Sequence, residues 1–320
     1  MTICASSTSE YGLPYVRTPN ELGIGASWED LAGWAAQSSL QVRELLNIHG
    51  AILFRGFCFG SAHSFRGCAS SFCPSLHNYA GGNSPRTRVE GNIFTTTEYP
   101  AGARISLHNE ASYLRQMPQR ILFYCETPPT QDGQTPLADC RRIYGRLHRD
   151  VREKFERRGV MYVNNLNGGC GVGRSWQAVF QTQDRRAVEA RLQDDGYEYE
   201  WTNDNGLRTA IVAQATAVHP NTKEPLWINQ AEQWHPSSLP PETRRALASI
   251  VAERDFPHNA FFGDGSPLDE HELAHIRQLM REEERVFHWA AEDLLVCDNF
   301  MVMHGREPFQ GPRRILCALG

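Results

Sequence analysis

The order of apolar runs along the chain is the feature that most restricts its fold. Short apolar runs typical of strands occur at 51–54, 294–297 and 315–319, and a longer region of strand pattern covers 103–126; helices do not alternate regularly with them. A doubly wound parallel sheet requires that alternation, and the chain also lacks the G-x-G-x-x-G and G-x-x-x-x-G-K-[ST] motifs of nucleotide-binding folds. The sequence therefore predicts a single α+β domain over 1–320, with a mostly antiparallel sheet core, flanking helices and a long insert.

Apolar residues at a spacing of about 3.6 positions predict helices outside these strands. Ser27 is a suitable N-cap for the first helix, and Gly50 is a suitable residue to end it. By contrast, the segment 79–86 is rich in glycine, asparagine and serine, which predicts an irregular loop. The predicted helices cover 27–49, 140–158, 240–254 and 268–290.

Composition argues against several classes of partner. The chain has 320 residues and a net charge of −5, and its basic residues are interleaved with acids, so it lacks the basic stripe that nucleic-acid binding needs. No run approaches the roughly 18 apolar residues of a membrane span, and the N-terminus does not resemble a signal peptide. We therefore expect a cytoplasmic protein with reduced cysteines and a small-molecule substrate, without a nucleic-acid or membrane partner; the oligomeric state is left open.

Two of the twelve histidines precede a carboxylate by two positions, a spacing that suits a metal-binding pair. Residues i and i+2 of a strand share a face, and apolar and polar residues alternate through 105–110, so His108 and Glu110 can meet one ion. On a helix the same spacing turns two side chains about 200° apart. The predicted helix over 140–158 therefore excludes the second pair, His148 and Asp150.

A third ligand must come from elsewhere, and His219, His235, His258 and His304 are the candidates. We select His304 because strand patterns lie on both sides of it. Two histidines and one carboxylate occupy one face of an octahedron and leave three positions open, which is typical of non-haem Fe(II) oxygenases. A closed structural zinc site would require a fourth protein ligand.

An arginine pair precedes the last predicted strand. Arg313 and Arg314 point to opposite faces of a strand, so only one of them can enter a site formed on a neighbouring strand. We select Arg314 as the residue that would hold a carboxylate with two hydrogen bonds, and we interpret Arg313 as a surface residue.

Four segments in order, 50–57, 107–113, 133–139 and 298–315, carry an early strand, an H-x-E motif, a G-x-T segment and a distal histidine with arginine. Together they resemble the Fe(II)/2-oxoglutarate-dependent dioxygenases of the taurine dioxygenase and clavaminate synthase type, nearest to the branch that acts on amino acids. The resemblance implies a double-stranded β-helix (jelly-roll) core, with 2-oxoglutarate and O₂ as co-substrates. It implies Fe(II) ligands at His108, Glu110 and His304, and 2-oxoglutarate contacts at Thr135 and Arg314.

The resemblance also implies an activity, which is hydroxylation of an unactivated C–H bond in an amino acid or related small molecule, free or carrier-tethered, in natural-product metabolism. Glu110 argues against halogenation, because halogenating members lack that carboxylate. Two positions depart from the family pattern. Asp132 replaces the first glycine of a G-G pair, and Ala318 stands where some members carry another arginine, four residues after Arg314.

Several alternatives remain open from the sequence. The same iron chemistry could give desaturation or oxidative cyclisation, and a non-catalytic metal-binding jelly-roll is an alternative from another class. A zinc hydrolase is a third alternative, since the chain carries one H-E-x-x-H sequence at 271–275. We interpret His271 and His275 as residues on the face of a predicted helix and not as metal ligands. For the substrate, Arg86 and Tyr79 are the candidate contacts, and the segments 79–86 and 95–99 are candidates for a lid.

Overall fold

The computed structural model of the protein describes residues 12–78 and 86–320. Its helices are α1 (Pro19–Leu22), α2 (Trp28–Gln37), α3 (Ser39–His49), α4 (Ala62–Phe72), α5 (Cys140–Arg146), α6 (Arg149–Arg158), α7 (Trp176–Phe180), α8 (Arg185–Asp195), α9 (Ala231–Trp234), α10 (Pro241–Ala248) and α11 (Glu270–Glu283). Its strands are β1 (Tyr15–Arg17), β2 (Ala51–Phe54), β3 (Arg88–Glu90), β4 (Ile93–Thr95), β5 (Ile105–His108), β6 (Arg120–Thr127), β7 (Gln131–Asp132), β8 (Leu137–Asp139), β9 (Val160–Leu166), β10 (Glu198–Trp201), β11 (Leu207–Ala213), β12 (Thr216–Val218), β13 (Pro225–Trp227), β14 (His258–Phe262), β15 (Leu294–Asp298), β16 (Val302–Arg306), β17 (Phe309–Gln310) and β18 (Arg314–Leu319).

A seven-stranded sheet forms the centre of the fold, in the order β1-β2-β15-β6-β18-β4-β3. β1 and β2 are parallel, and every other neighbouring pair in this sheet is antiparallel. Successive side chains point to opposite faces, so Phe54 and Tyr124 join one apolar cluster while Leu53 and Phe123 join another. The arrangement agrees with the prediction of a mostly antiparallel core.

Helices α2, α3 and α4 cover one face of this sheet and bury Leu31 and Phe65 against it. The Ser27 hydroxyl caps α2, and Gly50 ends α3 with a φ of +75°, a conformation that glycine adopts without steric cost. The predicted helix over 27–49 is therefore correct at both ends. It is interrupted at Ser38, where α2 ends and α3 begins.

A three-stranded antiparallel sheet, β5-β16-β8, covers the opposite face. Leu137 and Val302 from this small sheet share a cluster with Phe123 and Leu295 of the large one. The two sheets thus enclose a layer of side chains between them. The candidate site described below lies in this layer.

The long insert follows β8 and builds a four-stranded sheet, β10-β11-β9-β14, with α5, α6, α9 and α11 packed nearby. Its core meets the outer surface of the small sheet through Leu107, Ala138 and Met303. The small sheet is therefore supported on both sides, which fixes the strands that carry the candidate ligands.

Several helices are shorter than the sequence predicts. The helix predicted over 140–158 is two helices, and His148 precedes α6 as its N-cap residue. The helices predicted over 240–254 and 268–290 end at Ala248 and Glu283. Helix α4 was not predicted at all. Among the residues that the structure describes, no helix combines the length and the apolar character that crossing a membrane would require.

Candidate active site

The three candidate metal ligands converge between the two sheets. His108 on β5 and His304 on β16 are direct cross-strand partners, and Glu110 follows β5 by two residues. One ligand atom from each side chain lies within 4.8 Å of the others. The structure thus brings together the residues that strand geometry selected, in an arrangement that could hold one metal ion.

Burial favours the neutral form of both histidines, which is the form that binds a metal. It lowers the pKa of His108 and lowers that of His304 well below the usual value, because the charged form loses its hydration. The His108 Nδ1–H donates to the Ser106 carbonyl over 2.8 Å, which leaves the Nε2 lone pair free for a metal. His304 Nε2 lies 3.9 Å from Glu110 Oε2, and its ring packs edge-on against Phe123.

The backbone around Glu110 is held by Asn299, a fully buried residue in the turn between β15 and β16. Its side-chain oxygen accepts the Glu110 N–H over 2.8 Å, and its amide donates to the Glu110 carbonyl over 3.0 Å. The same amide donates to the Pro118 carbonyl over 2.9 Å. Asn299 was not identified from the sequence, because no motif marks an asparagine that acts through a distant backbone.

The other histidines considered as ligands lie elsewhere. His148 is exposed at the start of α6. His219 is fully buried and hydrogen-bonds Asp298 over 3.1 Å. His235 caps a short turn, and His258 hydrogen-bonds Asn164 in the insert sheet. Within the described ranges, His108, Glu110 and His304 are the group compact enough to hold a metal ion.

Arg86 reaches the same centre from the segment before β3. Its side chain is 3% exposed and donates to Glu110 Oε2 over 2.5 Å. It also lies 3.4 Å from the Cys317 sulfur on β18. The candidate substrate contact Arg86 therefore lies beside the candidate ligands, whereas Tyr79 falls outside the described residues.

The two consecutive arginines have the opposite placement from the predicted one. Arg314 is about half exposed and pairs with Glu126 on the outer side of β6. Arg313 instead lines the pocket that contains His108 and His304, and its Nε donates to the Gly133 carbonyl over 3.1 Å. The selection of Arg314 is therefore corrected to Arg313.

The physical reason for this correction is local. A bulge shifts the register between positions 314 and 315 of β18, so simple alternation does not extend back to the arginine pair. Moreover, β18 belongs to the seven-stranded sheet and faces the ligand strand β16 across the layer, instead of lying beside it. Four residues after Arg313 comes Cys317, and the guanidinium near that position is supplied by Arg86.

Thr135 is placed as expected, in the same small pocket. It is 4% exposed, and its hydroxyl accepts a hydrogen bond from the Trp289 indole over 3.0 Å. The hydroxyl proton therefore remains free to be donated to a carboxylate. Gly133, whose carbonyl accepts the Arg313 hydrogen bond, has a φ of +67°, and a Cβ there would lie 2.8 Å from Phe309. This turn therefore requires glycine.

Arg306 was not identified from the sequence, although it shares a strand face with His304 two residues before it. It is buried, lines the same pocket, and donates to the carbonyls of Tyr99, Pro100 and Ala103 over 2.7–3.1 Å. Together with a longer bond to the Thr97 carbonyl (3.5 Å), these bonds fix the segment 97–103 over the pocket, and this segment includes part of the candidate lid 95–99. Strand alternation could have found this residue.

The charges of this pocket are unbalanced. Neither Arg306 nor Arg313 forms an ion pair with a carboxylate of the described residues, and burial lowers the pKa of both, that of Arg313 to about 10. Buried cations without a counter-charge are costly even when backbone carbonyls accept their hydrogen bonds. A dianion such as 2-oxoglutarate would compensate them, and the histidine, glutamate and histidine donors suit Fe(II) with open positions. The donor set and the pocket therefore fit both groups.

Comparison with known proteins assigns the class. Residues 14–319 match the family described as "Taurine catabolism dioxygenase TauD, TfdA family". The dapdiamide synthesis protein DdaC of Enterobacter agglomerans is 33% identical over 87% of this chain and 84% of its own length. A clavaminate synthase-like protein of Arabidopsis thaliana is 32% identical over 86% of this chain and 82% of its own.

Solved structures show the same fold. The crystal structure of PvcB from Pseudomonas aeruginosa has a TM-score of 0.54 at 17% identity, and covers 95% of this chain and 84% of PvcB. Another PvcB structure, described as an Fe, alpha-ketoglutarate dependent oxygenase from an isonitrile synthetic pathway, has a TM-score of 0.52.

The site and the fold thus define a mononuclear-iron, 2-oxoglutarate-dependent oxygenase. The chain belongs to the TauD/TfdA family, and its cofactor and co-substrates are Fe(II), 2-oxoglutarate and O₂. The resemblance that the sequence motifs indicated is confirmed.

Proposed function

We propose that this enzyme hydroxylates an unactivated C–H bond of an amino acid or a related small molecule, with the whole chain, 1–320, as one catalytic domain. The observation that carries the proposal is the pairing of His108, Glu110 and His304 with a pocket that holds two uncompensated guanidinium groups. In this proposal the two facing sheets form a jelly-roll core, and the protein acts in the cytoplasm.

Each residue has a distinct task. His108, Glu110 and His304 hold iron, which when bound activates O₂ at the expense of 2-oxoglutarate, with release of succinate and CO₂. Arg313 binds the remote carboxylate of 2-oxoglutarate with two hydrogen bonds, and Thr135 donates its hydroxyl proton to the same group. Arg306 holds the segment 97–103 in place, which limits the access of water to the pocket.

Arg86 places a positive charge where the substrate would bind. Its buried guanidinium lies against Glu110, so a substrate carboxylate placed next to it would be bound close to the iron. Tyr79 is proposed as a second contact. A free amino acid offers a carboxylate and aliphatic C–H bonds within a few bonds of each other, which suits this arrangement. A carrier-tethered aminoacyl group would need a side-chain carboxylate for the same contact.

The names of similar proteins support a role in specialised metabolism, since DdaC is described as a dapdiamide synthesis protein and PvcB as part of an isonitrile pathway. Desaturation or oxidative cyclisation through the same iron chemistry is the alternative outcome. Product mass distinguishes them, because hydroxylation adds one oxygen atom whereas desaturation or cyclisation removes two hydrogen atoms.

The test is a screen of free and carrier-tethered amino acids that measures succinate release by the iron-loaded enzyme. We expect substrate-dependent succinate from the wild type and from His148→Ala, and none from His108→Ala. Independently, Fe(II) and 2-oxoglutarate added without oxygen should give the weak visible charge-transfer band of the complex. Absence of this band in the wild type would contradict the proposed roles of the site residues.

A further inference from the structure

A large cavity of about 1000 Å³ lies outside the iron pocket. It is bounded by α3, by the connection between β5 and β6, and by β11 of the insert, through residues such as Arg43, Ser112, Arg115 and Val212. Its volume is at the upper end of the range for small-molecule sites. No task has so far been given to it.

The cavity begins next to a metal ligand. Ser112 and Tyr113 line it, and they follow Glu110 by two and three residues. Consecutive Cα atoms are about 3.8 Å apart, so the Ser112 Cα lies within about 7.6 Å of that of Glu110. The segment directly after Glu110 therefore forms part of the cavity wall.

The charged side chains on its wall have one sign. Arg43, Arg115 and Arg120 line the cavity together with His77, and no aspartate or glutamate does so among the described residues, although the chain carries 37 acids. None of these three arginines forms an ion pair with a carboxylate in the described ranges. Elsewhere, by contrast, Arg244 pairs with two glutamates. The cavity wall thus presents a positive potential inside an acidic protein.

The rest of the wall is largely apolar. Leu40 and Val212 are 63% and 56% exposed in it, and Ile228 and Phe300 lie deeper. Exposed aliphatic side chains beside unpaired arginines suit a ligand with a neutral, extended stem and an anionic end. A compact zwitterion would leave most of this surface without a contact.

We propose that this cavity binds the distal part of the substrate, and that Arg43 and Arg115 hold an anionic group, a carboxylate or a phosphate, at the end remote from the oxidised carbon. This inference rests on the proposed function, since it makes the substrate an elongated anion instead of a small free amino acid. Arg120 contributes charge but also hydrogen-bonds the Phe72 carbonyl, so it is partly structural.

Binding can be tested without turnover. The probe is anilinonaphthalene sulfonate, an apolar anion, and its neutral counterpart is phenylnaphthylamine. We expect Arg43→Gln/Arg115→Gln to raise the dissociation constant of the anionic probe about tenfold, as loss of charge-assisted hydrogen bonds predicts, and to leave that of the neutral probe unchanged. Val212→Trp, which fills the cavity, should weaken both probes.

The matched control is Arg245→Gln. It also replaces an exposed arginine by glutamine, but on α10, away from the cavity. The proposal would be overturned if Arg245→Gln lost as much affinity for the anionic probe as Arg43→Gln/Arg115→Gln. It would also be overturned if the wild type and Arg43→Gln/Arg115→Gln bound each probe with the same dissociation constant. If Val212→Trp bound both probes as tightly as the wild type, the probes would not bind in this cavity.

Displacement then identifies the source of the anion. Displacement of the probe by octanoate but not by phosphopantetheine supports a free acid, and the reverse supports a phosphate-bearing, carrier-tethered substrate. If neither displaces the probe, the proposal is wrong. Because no step depends on iron, these outcomes are separate from the succinate screen, whose failure would contradict the proposed function alone.

Discussion

The two cavities of this protein differ in how their cations are placed. The iron pocket lies between two sheets, and its arginines, Arg306 and Arg313, are largely withdrawn from water and fixed by backbone carbonyls. The outer cavity lies between helices and connections, and its arginines Arg43 and Arg115 are exposed. The groups that we propose to bind the co-substrate thus lie on or beside strands of the two sheets, whereas the surface that we propose to select the substrate is formed mostly by helices and connecting segments.

The largest expected effect comes from the ligands of the iron pocket. His304→Ala should reduce turnover to below about 1% of the wild-type value, because loss of residues that only support a ligand already costs 10- to 100-fold. Co(II) binding, followed by its visible spectrum, should be lost in parallel.

The control for this experiment is His148→Ala, which removes an exposed histidine that also has a carboxylate two residues later. It should behave as the wild type in both assays. Equal loss in the two variants would show that the strand pair is not the metal centre.

Two neighbouring arginines test whether the inner pocket alone binds 2-oxoglutarate. Arg313→Gln should raise the KM for 2-oxoglutarate roughly 30- to 4000-fold, since truncating one partner of a buried charge pair costs about 2–5 kcal/mol. Arg314→Gln removes only an exposed pair with Glu126, worth at most about 1 kcal/mol, and should change this KM less than about twofold. Measurement of succinate against 2-oxoglutarate concentration decides between them, and a larger effect at Arg314 would restore the original assignment.

The arginine pair also shows where sequence reasoning ends. Alternation on a regular strand selected His108 and Glu110, because residues two apart share a face whatever surrounds them. His304 was selected because strand patterns lie on both sides of it. The same rule failed at Arg313, since the bulge at the start of β18 and the sheet to which β18 belongs are set by tertiary packing. Alternation would have found Arg306 had it been continued past His304.

Other features left no pattern in the sequence at all. Asn299 acts on the backbone of Glu110, 189 positions away in the chain. The outer cavity combines α3, the connection between β5 and β6, and the insert, and nothing local marks residues that meet only in the folded protein. Of the helices, α4 and α8 were not predicted. Two of those that were predicted are interrupted, at Ser38 and at His148, where a capping residue ends a continuous periodicity.

Asn299 provides a prediction of intermediate size for the inner pocket. Asn299→Ala should weaken Co(II) binding about 10- to 100-fold, because the peptide that carries Glu110 loses both of its side-chain hydrogen bonds. Asn299→Asp keeps an acceptor for the Glu110 N–H and should recover part of this affinity. Asn221→Ala, an exposed asparagine, is the matched control. A fall in thermal stability without a change in Co(II) affinity would limit Asn299 to a structural role.

The smallest expected effect is a difference in salt dependence between ligand binding at the outer cavity and ligand binding at the iron pocket. Raising the ionic strength from about 0.01 M to about 1 M shortens the Debye length from about 30 Å to about 3 Å, which screens exposed charges much more than buried ones. The affinity of the outer cavity for anilinonaphthalene sulfonate should therefore fall several-fold, and phenylnaphthylamine should show no such loss. The KM for 2-oxoglutarate should change less than about twofold, since Arg313 is held between the sheets against the Gly133 carbonyl. If both constants respond equally to salt, the two cavities do not differ in solvent screening, and the contrast between a closed inner pocket and an open outer one is wrong.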